Sequence, residues 1–112
     1  MNEALQRDLC AKFGADYLAV DGSLKVGISR SFDSSRFPIN GLRHPPEHGT
    51  SGWFIWSGEE FSTNPDFFRP LHAVHLSERC PETMRYLGLG PGWRFLIAPD
   101  QEDVWFDKAL LS

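Results

Sequence analysis

Long hydrophobic runs are absent from this 112-residue sequence: no apolar stretch exceeds four residues, the length of Trp53–Trp56 and Phe95–Ala98. A membrane-crossing helix needs about 20 apolar residues, so no membrane partner is expected. Met1–Asp8 carry no apolar segment. An export signal is therefore not expected, and the chain reads as cytoplasmic. Cysteine is scarce. Cys10 and Cys80 do not make a disulfide framework and should stay reduced in that compartment. An excess of positive charge is missing too. The formal net charge is −4, with six bases and six acids in residues 1–50 but five bases and nine acids in residues 51–112. A nucleic-acid-binding domain is normally basic, so that class is disfavoured. An acidic second half suits a basic protein partner instead. Internal repeats, low-complexity tracts and the Gly-x-Ser-x-Gly, Walker and dinucleotide motifs do not occur, and no cofactor is expected.

Aromatic residues are plentiful. Nine Phe, four Trp and two Tyr fill a core with few aliphatic residues, because each ring buries roughly 150–250 Å². Trp53, Ile55, Trp93, Phe95 and Trp105 are the expected centre of that core. The length suits one domain over residues 1–112. Residues 1–23 read as a helix and the start of a hairpin. Asn2 caps the helix, Leu5, Leu9 and Phe13 recur on one face, and Gly14 stops it. Tyr17–Val20, the Asp21-Gly22 turn and the alternation Leu24, Val26, Ile28 give the hairpin. Residues 29–52 are polar and rich in Pro and Gly, and read as a long ordered loop pinned at Phe37-Pro38-Ile39 and Leu42. Trp53–Trp56 reads as a buried strand. Asn64-Pro65, Pro70 and Pro81 each open a helical segment. Trp93–Ala98 and Val104–Phe106 read as the last two strands. The expected class is α+β, a mostly antiparallel sheet with helices packed on one face.

Candidate chemistry is thin. His72, His75 and Cys80 are the basis for an alternative reading as a small Cys/His-dependent enzyme or metal-binding domain; His44 and His48 are also four apart, but Pro45-Pro46 lies between them. No known zinc spacing is present, and His72 and His75 read more simply as capping or packing residues of a helical segment, with Cys80 a buried small hydrophobe. Glu59 and Glu60 are adjacent and point to opposite sides of an extended chain, so they do not form an acid/base couple. The expectation is therefore no catalytic residue and no metal.

Three polar-aromatic blocks, Gly52–Glu60, Asn64–Phe68 and Tyr86–Phe95, follow one another in order. In that pattern the sequence resembles the Imm33-like class of bacterial polymorphic-toxin immunity proteins, over roughly residues 24–111. The segment Ser29–Thr50 departs from it. The resemblance implies a protein, not an enzyme, that binds and neutralises a co-encoded secreted toxin domain. The further alternative is a general protein-interaction module. Loops carry binding function more often than cores. The expected partner surface therefore combines Arg43, His44 and Glu47 of the long loop with the acids Glu59, Glu60, Asp100, Glu102 and Asp103 at strand ends.

Overall fold

A computed structural model describes residues 2–59, 61, 62, 64 and 66–112. Helix α1 (Glu3–Phe13) buries Gln6, Leu9 and Cys10, with Phe13 half-buried beside them. The expected stripe began at Leu5, which is 58% exposed. Residues four apart drift around a 3.6-residue helix, so the stripe is instead centred on Gln6, Leu9, Cys10 and Phe13. Asn2 caps with its backbone carbonyl, which accepts from the Gln6 N–H at 3.0 Å, and not with its side chain. Gly14 stops the helix in the left-handed conformation, as expected.

Six strands follow: β1 (Lys25–Ser29), β2 (Ile39–Arg43), β3 (Thr50–Ser57), β4 (Phe68–His72), β5 (Trp93–Ala98) and β6 (Gln101–Phe106). They form one sheet in the order β4-β1-β3-β2-β5-β6. Only β1 and β3 run parallel; the other four pairings are antiparallel. Helix α2 (Leu76–Arg79) and the 3-10 helices Ala73–His75 and Pro81–Tyr86 join α1 on one face. There Ile28, Ile39, Trp53, Ile55 and Phe95 meet Leu9, Leu76, Met84 and Leu87 in the main core. The class is α+β, as the sequence predicts.

Four local expectations change. The hairpin does not form: Tyr17 makes a single bridge to Leu89, because both sides of β1 are already occupied by β3 and β4. The Asp21-Gly22 turn survives, with Leu24 N–H on Asp21 O at 2.9 Å, but it only redirects the chain. The stretch read as one loop over 29–52 contains β2, whose five residues are all buried in the middle of the sheet. Its polar members are accommodated individually. Asn40 donates to Pro38 O and Gly58 O, and Gly41 lies under the Phe95 ring. Lastly, Asn64 makes an Asx turn and not a helix cap, accepting from Asp66 N–H, and Pro65 lies outside the described residues. Pro70 sits in an edge strand, where a missing N–H leaves no ladder bond unmade.

Candidate functional site

The sheet face away from α1 carries two in-register rows. Pro70, Gly27, Phe54, Leu42, Arg94 and Trp105 cross all six strands. Trp56, Asn40, Leu96 and Asp103 form the next row. The C-terminal 3-10 helix Lys108–Leu111 covers part of this face, burying Leu110 against Leu42 and Trp56. That is an addition to the expectation of helices on one side only. Phe54, Trp56, Phe61, Phe67 and Phe68 contact one another with ring centroids 4.8–6.3 Å apart. Phe61, 50% exposed, leaves apolar surface open within this cluster, and Trp105, 38% exposed, does so at the β6 edge of the same face. Arg94 lies 5.3 Å from the Trp105 ring centre and pairs with Asp107 at 3.0 Å.

Two concavities flank the Phe54–Phe68 pair and share His44. The larger, ≈ 690 Å³, opens where β1 advances two residues while β3 advances four. Gly27, Phe54 and Pro70 contribute apolar lining, and Lys25, Glu47 and Arg69 are its charged groups. The smaller, ≈ 260 Å³, lies towards Phe61. The His44 ring meets Phe54 edge-on at 5.7 Å, and its Nδ1 is 3.2 Å from Leu110 O. A carbonyl only accepts, so Nδ1 carries the hydrogen and Nε2 is left for another partner. An apolar floor with a polar rim is the anatomy of a recognition surface.

The expected partner residues do not converge. His44 and Glu47 follow β2 at one end of the sheet and line the larger concavity. Glu59, Asp100 and Glu102 lie at the opposite end, where Ser57, Ile39, Ile97 and Glu102 are in register. The length of β2, about 13 Å, separates the two groups. Glu60 lies outside the described residues. Arg43 must be removed from the partner list. It is fully buried, and its guanidinium donates to the carbonyls of Ser51 (2.9 Å), Leu18 (2.8 Å), Leu89 (2.8 Å) and Leu87 (3.3 Å). Burial pushes its pKa down to about 10, which still leaves it charged at neutral pH.

Neighbouring residues on β6 face opposite ways. Asp103 stands on the aromatic face, exposed, and accepts from Gln101 Nε2 at 2.6 Å. Glu102 stands on the helical face and accepts from the Tyr86 hydroxyl and from Lys12 Nζ at 3.2 Å, with Arg85 at 3.3 Å. The Tyr86 bond, then Lys12 and Arg85, holds the Glu102 carboxyl below its ordinary value of 4.5. Burial, followed by the Glu102 bond, pushes the Tyr86 hydroxyl up, so the tyrosine remains the donor. A depressed carboxylate contributes stability above its unfolded pKa and loses it as pH falls through the folded value. Glu102→Gln should therefore lower stability at pH 7 by about 1 kcal/mol or less, since its cationic partners Lys12 and Arg85 are largely exposed and the amide oxygen can still accept from Tyr86. The difference from the unchanged protein should shrink as pH falls below 4.5 and through the lower folded value. Urea midpoints between pH 7 and 3 check this; a gap that persists undiminished at pH 3 would assign the loss to packing instead.

Cys80 is fully buried, and its thiol donates to Glu82 at 3.1 Å. Burial, then that bond, pushes it up to about 12. The thiol stays protonated, which is the reverse of what a nucleophile requires. His72 and His75 are exposed, with ring centres 6.5 Å apart. The half-buried Trp93 and the exposed Trp105 do not join the centre of the core, whereas Trp53 does, its Nε1–H bonded to Leu87 O at 3.0 Å.

Sequence reading missed Phe54, Phe61, Phe68 and Trp105 as surface elements. Alternation along Trp53–Trp56 already places Phe54 and Trp56 together on one face. That this face is covered only in part, by the short C-terminal helix, is a tertiary fact. Among the described residues, no helix is long and apolar enough to cross a membrane. Residues 5–107 match the family model of the Imm33-like domain. No curated protein and no solved structure matches the chain.

Proposed function

The chain belongs to the Imm33-like domain family, and from that premise we propose that it is a bacterial cytoplasmic immunity protein, which binds a co-encoded secreted toxin domain and blocks it without catalysis of its own. The supporting observation is the sheet face opposite α1, covered only in part by the short helix Lys108–Leu111, where partly exposed aromatic rings border two concavities. Interface energy concentrates in a few aromatic and Arg anchors seated in pockets. This face offers Phe61, Trp105 and Arg94 as anchors and the concavities as receptors for the partner's own side chains. His44 and Glu47 belong to this surface; Asp100 and Asp103 serve as its acidic approach. The high pKa of the buried Cys80 weighs against the Cys/His enzyme alternative.

The test is co-expression with the toxin domain encoded beside the gene, together with a binding measurement on the purified pair. Growth should be rescued and a stoichiometric complex should form. Phe61→Ala and Trp105→Ala remove rings that are partly exposed and should lower the melting temperature by only a few degrees without loss of folding. Each should raise the dissociation rate about ten-fold or more, the effect of an anchor worth over 1 kcal/mol. Neither binding nor protection would refute the immunity role. Full affinity in both variants would move the interface off this face.

A further inference from the structure

We propose that β6 is an open edge that accepts an added strand: an extended, basic segment of the partner pairs with Gln101–Phe106 and lengthens the sheet to seven strands. This rests on the immunity reading and names the way the partner engages.

The sheet has two edges, and they differ. At one edge, β4 carries Pro70 in its middle, opposite Gly27, so it cannot present a continuous row of donors. At the other, β6 pairs with β5 over all six residues without a register shift, and contains no Pro, Gly or Lys. Pro, Lys and bulges are among the devices that block natural edges, and the charges β6 does carry, Glu102 and Asp103, oppose acidic strands and not basic ones. Among the described residues no further strand pairs with the outer side of β6. The chain after it turns back over the aromatic face, where Leu110 is buried. The unpaired backbone groups of β6 are therefore a template for a further strand.

The edge is also held in shape before any partner arrives. Glu102 is tied to Tyr86, Lys12 and Arg85 near the start of the strand. Arg94 pairs with Asp107 just past its end and lies over Trp105. A preordered strand loses little conformational freedom on binding. Trp105 and Phe106, 38% and 48% exposed and on opposite faces, are available for cross-strand contacts on both sides of an incoming strand.

Charge selects the occupant. Residues 100–107 contain the acids Asp100, Glu102, Asp103 and Asp107 and no base. Glu102 and Asp107 are neutralised within the fold, whereas Asp100 and Asp103 have no cationic partner among the described residues. Lys or Arg side chains of an added strand would pair with them. Two copies of β6 side by side would instead bring the unpaired Asp100 and Asp103 of each chain into one ribbon, which like-charge repulsion opposes.

Amide hydrogen exchange on the complex with the neighbouring gene's toxin domain tests this. The amides of 101–106 that exchange in the free protein should slow about ten-fold or more on binding, while β4 is unchanged. The double variant Asp100→Lys/Asp103→Lys should keep its melting temperature and slow association about ten-fold at low salt, with the difference shrinking as salt rises. A complex that leaves β6 exchange unaltered overturns strand addition and leaves the immunity reading intact. Protection of β6 that grows with concentration of the free protein makes a second copy the occupant and overturns the basic segment. Failure to form any complex defeats the immunity reading and this inference with it.

Discussion

Arg43→Met is expected to lower the unfolding free energy by about 3–5 kcal/mol, a large part of the 5–15 kcal/mol typical of a small domain. Methionine keeps the stem but leaves the carbonyls of Ser51, Leu18 and Leu89 without the guanidinium. Leu87 O retains the Trp53 indole as a donor. Hydrogen bonds to a charged group contribute roughly 1.5–3 kcal/mol each, so three lost bonds set an upper bound above the expected figure. The difference is the desolvation that the buried cation no longer requires. Because Arg43 ties the Leu18 segment, the turn through Leu87–Leu89 and the start of β3 together, the loss should appear as one cooperative shift of the urea midpoint. Arg43→Lys keeps the charge but not the fork, and should also destabilise. Trp fluorescence during urea unfolding reads both. An unchanged midpoint would show that the carbonyls find other donors.

Gly52→Ala should be comparably severe, at about 3 kcal/mol or more. Gly52 has φ +89°, a conformation that costs a residue bearing Cβ roughly 1–2 kcal/mol. An added Cβ would also stand 1.9 Å from His44 O, which is backbone and cannot rotate away. Relief requires moving β2 against β3, beside the bond from His44 N–H to Gly52 O at 2.9 Å. Gly14→Ala separates the two causes. Gly14 also has positive φ, +68°, but a Cβ there meets nothing within 4 Å. Only the backbone term applies, and the expected loss is about 1 kcal/mol. Equal melting temperatures for the two variants would show that the contact with His44 relaxes freely.

Local chemistry was legible wherever a short stretch decides its own conformation. Gly14 ends α1 because it tolerates positive φ. Pro81 opens a 3-10 helix, Pro99-Asp100 turns between β5 and β6, and Trp53–Trp56 lies in a strand. The family was legible too, from rare aromatic and Gly positions that recur in order between Gly52 and Phe95. The helical reading of 64–72 failed because Asn-Pro and Pro mark chain reversals and edge strands as readily as helix starts. Strand β2 was hidden because Asn40, Gly41 and Arg43 are poor strand formers in isolation. They are tolerated at the sheet's centre because Gly58 O, the Phe95 ring and four carbonyls receive them.

The candidate site divides in the same way. Composition and alternation by themselves determined an α+β domain, an aromatic core and an acidic second half, whereas the opposite facings of Glu102 and Asp103 appear only because β6 begins at Gln101. Sheet order alone decided that Arg43 is a buried tie and His44 a groove residue, though they are neighbours in sequence. It also decided that Glu59 and Glu47 lie at opposite ends of β3 and that β6, not β4, is the unblocked edge. Strand pairing is a contact between distant segments, so its register depends on which surfaces are buried together. A single strand's own residues specify its two faces, but not which face meets helices, which meets solvent, or what lies beside it.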